Sequence, residues 1–337
     1  MSKSRRKKPV KSKPAMSPEE KAARRRRLKF ALGCVLAVGC VGALVFGMKA
    51  LESKVLNTPR PYGTGVRVRL VDVPMWMPES LATAIGRTIA QESDDFYDPS
   101  LIARAYDQAA ANPWVRSVMR VSKHPTASPI QGIVELHAEY RMPVAAVLLS
   151  DGRTRAYVDA QGVLVPDDPA LGSPPKYLAT FPAVRGQPPR AVFYSDMSEA
   201  PSDAPIQRRH YIEIQGVQAP PPIPGERWRG QDLEDALRLV ELLRLRSYCT
   251  QIEVIDVHNH GGRLYPAQPR EPHIRMFTAG DESSRTQINF GRFPLPGGDY
   301  DVPVERRIAN LDLYAVTHGR LNYHSLIDIR FDQLQFK

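Results

Sequence analysis

The sequence predicts an α+β fold: one transmembrane helix, then a β-α-α-β-β unit and a mixed β-domain that also carries helices. Three observations carry that prediction. Residues 30–48 form an uninterrupted apolar run. Residues 65–141 pass from twofold alternation to helical spacing, twice over, and back to alternation. The remainder holds many short alternating runs, a proline-rich stretch and two amphipathic helical patterns.

Charge separates the N-terminal tail from the rest. Residues 1–29 hold thirteen Lys or Arg and two acids, a net of +11. The other residues carry 33 basic and 34 acidic side chains, so the excess charge belongs to the tail. Nucleic-acid binding by the folded part therefore has no electrostatic support. The tail itself reads as a topology signal and a contact for membrane lipids.

The run FALGCVLAVGCVGALVFGM has no charged side chain. Nineteen helical residues span roughly 28 Å, about one hydrocarbon core. In lipid every backbone polar group must bond within the segment, which requires a helix. The basic tail ahead and the sparse charge behind (Lys49, Glu52, Lys54) place the N-terminus in the cytoplasm and the main domain outside. A cleaved signal peptide would have a shorter apolar core and a small-x-small site; GMKALESKV has no A-x-A, so a retained anchor is expected. Gly33/Ala37 and Gly39/Ala43 are small-residue pairs suited to close helix approach. Of three cysteines, Cys34 and Cys40 lie in this run. Cys249 is alone outside, so the exported part has no internal disulfide and Cys249 reads as a small buried hydrophobe.

Residues 51–64 read as a connector. GVRVRLVDVP alternates, with Val66, Val68 and Leu70 on one face, and predicts a half-buried strand. MPESLATAIGRTIAQE predicts a helix with Pro78 in its first turn and Leu81, Ala84, Ile85 and Ile89 as its apolar stripe. A second helix starts at DPSLIARAYDQAA, capped by Asp98, with Leu101, Ile102, Ala105 and Ala109 inward. Asn112-Pro113 stops it, and the strands WVRSVMRV and GIVELHAEY follow. PVAAVLLSDGRTRAYVDAQGVLVP predicts two or three strands, turning at Asp151-Gly152 and Gln161-Gly162. Residues 167–230 are proline-rich, with PPPIP at 220–224, and read as long surface connections around a few short strands. Beyond them come a helix at 230–246, strands at 251–257, 273–278 and 286–290, and a helix at 303–317 closed by Gly319. SLIDIRFDQL reads as one terminal strand.

The order of these elements, with several local strings, resembles the bacterial division proteins of the FtsQ/DivIB family. The strings are Pro113-Trp114-Val115 with VMRVSKHP, then VELHAEYRMPVAAV, YVDAQGVLVP, TQINFGRF, the helix bearing Arg306 and Arg307, and SLIDIRFD. They cover about residues 20–165 and 210–333. His124 stands where the family usually has Trp, and the insertion at about 167–208 has no counterpart in the pattern. The resemblance implies a cytoplasmic tail (1–29), a transmembrane helix (30–50), a linker (51–64), a POTRA domain (65–141) and a β-domain (142–333) with a short end (334–337). It implies a scaffold at the division septum of the inner membrane that regulates septal peptidoglycan synthesis through protein contacts, not an enzyme. Its implied partners are FtsB/DivIC-like and FtsL-like bitopic proteins, with FtsW/FtsI-type synthases further along. They would bind by pairing a strand with the last strand of the domain, where Arg330, Phe331 and Asp332 fall. The alternative is a membrane-anchored POTRA protein of envelope assembly or export.

Other constellations point to chemistry less directly. His258-Asn259-His260, read as a strand, would put two imidazoles on one face, with Asp256 beside them and His273 nearby. That pattern would suit a zinc-dependent envelope hydrolase, but Gly261-Gly262 reads as a turn, and we expect no metal or other cofactor. Glu135 and Glu139 share a strand face about 13 Å apart, wider than a glycosidase pair. Asp94-Asp95 read as a solvated turn. No nucleophile elbow or phosphate loop is present in the sequence, and no small-molecule substrate is expected.

Overall fold

A computed structural model describes residues 18–57, 65–91, 94–126, 131–181, 190–201, 205–268, 270–281, 284–294 and 302–337. By contacts the chain divides into residues 1–62 and 63–337, each a compact unit.

The first unit contains helix α1, Pro18–Asn57, 40 residues long. Its segment Leu32–Lys54 is long and apolar enough to cross a membrane. Leu32, Val35, Leu44 and Phe46 are largely exposed there, the surface that lipid would cover. The helix outruns the apolar stretch at both ends, so residues 51–57 are helical where a connector is expected. The rest of that connector and residues 1–17 lie outside the described residues.

The second unit opens with β1 (Gly65–Val71), α2 (Glu79–Ile89), α3 (Leu101–Ala111), β2 (Val115–Pro125) and β3 (Gln131–Tyr140). The three strands form a sheet in the order β1-β3-β2, with β1 parallel and β2 antiparallel to β3. Its core is what the spacing predicts: Leu81, Ala84, Ile85 and Ile89 of α2 and Val134, Leu136 and Ala138 of β3 are buried. In α3, Leu101, Ala105 and Ala109 are buried, but Ile102, also expected inward, is exposed. Ser100 takes the N-cap position, and Asp98, two residues upstream, accepts from the Ser100 backbone N–H at 2.8 Å. Pro78 sits at the N-cap of α2, its carbonyl already accepting from Ala82.

A sheet of nine strands follows. β4 (Pro143–Leu148), β5 (Arg155–Asp159) and β6 (Leu164–Val165) make a meander whose turns use Gly152 and Gly162 in the left-handed region. The proline-rich stretch then builds its own small sheet from β7 (Tyr177–Phe181), β8 (Arg190–Tyr194) and β9 (Ile206–Arg208). β10 (Ile212–Gln215) leaves that stretch and enters the large sheet between β4 and β11 (Ile252–Asp256), parallel to both. The sequence reading allows a few short strands in this stretch of surface connections but does not place one in the large sheet. The β10 pattern IEIQ is too short to betray that Ile212 and Ile214 are central core. Helix α4 (Gln231–Leu243) makes the crossover from β10 to β11 and buries the whole expected stripe from Leu233 to Leu243.

Antiparallel β12 (Ile274–Thr278) and β13 (Gln287–Gly291) extend the sheet. Helix α5 (Val304–His318) then crosses to β14 (Leu326–Asp328), which is parallel to β13. Gly319 closes α5 at φ +72°. The final strand, β15 (Gln335–Phe336), pairs antiparallel with β14.

The two sheets do not have independent cores. Ala146, Tyr157 and Val165 of the large sheet join the cluster built by α2, α3 and β3. Gly172, at φ +95°, comes so close that a Cβ there would run into Leu81 of α2.

Candidate partner-binding edge

Two short strands and a loop replace the single terminal strand that the sequence suggests. β14 stops at Asp328, and Arg330, Phe331 and Asp332 lie in the bend that carries the chain round to β15. The run of alternating residues is interrupted because Arg330 turns back on its own strand. Its Nε lies 2.9 and 3.1 Å from the two carboxylate oxygens of Asp328, and its Nη1 donates to the Arg270 carbonyl. Arg330 lies over Gly291, whose missing Cβ leaves the room. On the other side Asn310 of α5 donates from Nδ2 to the carbonyls of Phe331 (3.1 Å) and Asp332 (3.3 Å).

Asp328 is buried, yet its carboxyl is held below the ordinary carboxylate range. Burial alone would raise it; hydrogen bonds from Arg330 and Asn289 outweigh that penalty. A buried charge with this many donors is a fixed point, so the bend is held by its backbone and presents its remaining side chains outward. Phe331 is 45% exposed, with the Arg330 guanidinium 5.4 Å from its ring centre.

β15 is the outer edge of the nine-stranded sheet. The N–H and C=O of Lys337 bond inward to Leu326, so by alternation those of Phe336 face away from the sheet. An edge of this kind is a template for one more strand. Its rim is aromatic. Phe336, 49% exposed, lies 4.3 Å centroid to centroid from His324, which shares a 2.6 Å hydrogen bond with the Tyr314 hydroxyl. His318 stacks on exposed Tyr323 at 4.9 Å. On α5, Leu313 and Val316 are exposed one turn apart.

The sequence reading places attention on Arg330, Phe331 and Asp332 but misses Phe336, Tyr323 and the two histidines. The signal available was the aromatic spacing in LNYHS and QLQFK, which carries no fixed period.

The other sequence candidates are distributed differently. His258 and His260 are not on a strand. β11 ends at Asp256, and His260 begins a 3-10 turn through Gly262. His258 Nδ1 meets Asp256 at 2.6 Å and His260 Nε2 meets Asp235 at 2.9 Å, so the two rings serve separate carboxylates. No three His, Cys, Asp or Glu side chains could share a metal ion among the described residues. Glu135 is buried on β3 and bound by Arg69 of β1 and, at 2.8 Å, His124 of β2. Glu139 instead accepts from Ser117 at 3.1 Å. Cys249 is half-buried, and burial pushes its thiol up. Asp94 caps the Gln91 N–H at 2.8 Å in an exposed turn.

No protein-family model matches this chain, and no curated protein matches it at a significant level.

Proposed function

We propose that this protein is a single-pass membrane scaffold of the bacterial division machinery, with an FtsQ/DivIB-like layout. In this reading α1 anchors the chain, the β-α-α-β-β unit is a POTRA domain that helps recruit it, and the large sheet offers β15 to partner proteins. The observation that carries the reading is the terminal edge. Of the two edges of the nine-stranded sheet, β6 bonds to the chain at Gly225 and Glu226, whereas β15 is a two-residue strand with outward backbone groups and an aromatic rim. Strand addition there needs no cavity and no catalytic group. The order β1-α2-α3-β2-β3 ahead of it supports the same layout.

The partners we propose are FtsB/DivIC-like and FtsL-like bitopic proteins, with FtsW/FtsI-type synthases as downstream contacts. A photocrosslinking residue in place of Phe336 tests this in dividing cells. Adducts with another bitopic membrane protein support the reading. Adducts only with outer-envelope assembly components favour a POTRA protein of export or envelope assembly instead.

A further inference from the structure

A cleft of about 520 Å³ lies where β2 and β3 meet the N-terminal part of the large sheet and α4. Its floor is apolar, formed in part by Met142, Val144 and Leu237. Five arginines line it against three carboxylates. Three pairs account for the acids: Arg141 with Asp159 at 3.0 Å, Arg227 with Glu234 at 2.9 Å and Arg244 with Glu241 at 2.7 Å. Arg116 and Arg238 have no carboxylate partner among the described residues; Arg238 lies over the Phe293 ring instead.

The excess guanidinium charge in this cleft calls for an anion rich in acceptors. A single carboxylate offers two oxygens, whereas a phosphate offers at least three and takes guanidinium forks bidentately.

We propose that this cleft binds a phosphate-type oxyanion, carried by a soluble phosphorylated molecule or by a lipid headgroup. The inference stands apart from the scaffold reading, because it draws on no residue of the β15 edge.

The test uses the full chain in nanodiscs of neutral phosphatidylcholine, titrated with sodium pyrophosphate by calorimetry. Salt is held at about 0.15 M to suppress diffuse attraction to the basic tail. The expected result is saturable binding that weakens about tenfold or more in Arg116→Ala/Arg238→Ala. Both side chains are exposed and neither has a carboxylate partner among the described residues, so thermal unfolding should change little in that variant. Arg153→Ala/Arg320→Ala, which removes two guanidiniums elsewhere, should bind as the parent does. Nanodiscs containing phosphatidic acid separate the sources. Competition with pyrophosphate that the cleft variant abolishes assigns a lipid headgroup; no competition assigns a soluble phosphate. No saturable binding, or equal loss in both double variants, overturns the proposal. Binding of polyglutamate without binding of pyrophosphate also overturns it, in favour of an acidic polypeptide.

Discussion

Arg330 and Asp328, two residues apart, form a closed ion pair. The guanidinium Nε reaches both carboxylate oxygens at 2.9 and 3.1 Å, Nη2 reaches one of them at 2.5 Å, and the Arg330 backbone N–H adds a fourth bond at 3.1 Å. This pair ends β14 and sets the path to β15.

Asp328→Asn should therefore loosen the bend and the edge behind it. The substitution leaves the guanidinium of Arg330 without its counter-charge and costs about 2 kcal/mol. Hydrogen exchange should show faster opening of residues 326–337 with little change in β1–β3.

Acid should reproduce that effect. The folded carboxyl of Asp328 lies below its ordinary value of 3.8. Its stabilising contribution is thus complete above about pH 4, where the unfolded group is ionised too. It is lost as pH falls below that value through the folded one. Hydrogen exchange near pH 3 should show the parent protein moving toward the variant, and the variant itself changing less.

Phe331→Ala and Phe336→Ala should weaken partner capture without unfolding the domain. Both rings are about half exposed, so little core packing is lost, while exposed aromatic anchors at an interface are each worth about 2 kcal/mol or more. Pull-down of the proposed bitopic partners should fall, with the melting temperature nearly unchanged. A parallel loss of melting temperature and capture would assign the rings to folding.

Gly132→Ala should destabilise the β-α-α-β-β unit. A Cβ at this buried position in β3 would collide with the ring of Phe96, which packs on it. Overpacking of this kind costs about 1–3 kcal/mol, read from urea unfolding. Phe96→Leu in the same background should recover part of it.

Much of this architecture was legible in the sequence, and the reasons are local. Leu81, Ile85 and Ile89, or Leu233, Leu237 and Val240, repeat at helical spacing because one face must be buried. Val134, Leu136 and Ala138 alternate for the same reason. What was not legible depends on partners far along the chain. β10 is central only because β4 and β11 flank it, and IEIQ says nothing about that. The terminal strand breaks at Asp328 because Arg330 finds a carboxylate two residues back and the Arg270 carbonyl sixty residues away. The His258/His260 pair looked like one face only while the segment was read as extended; the chain turns at His258 and Asn259, just after β11, and the two rings part there. At the edge, Phe331 reads as part of the last strand but lies in the bend after β14, and Phe336 is missed because its position follows from the hairpin.

The most direct test of the scaffold account is the position of an N-terminally fluorescent full-length copy, at native expression, in dividing cells. The account predicts signal gathered at the constriction, dependent on the Phe336 edge for the arrival of later components. An even envelope signal through the whole cycle would contradict it.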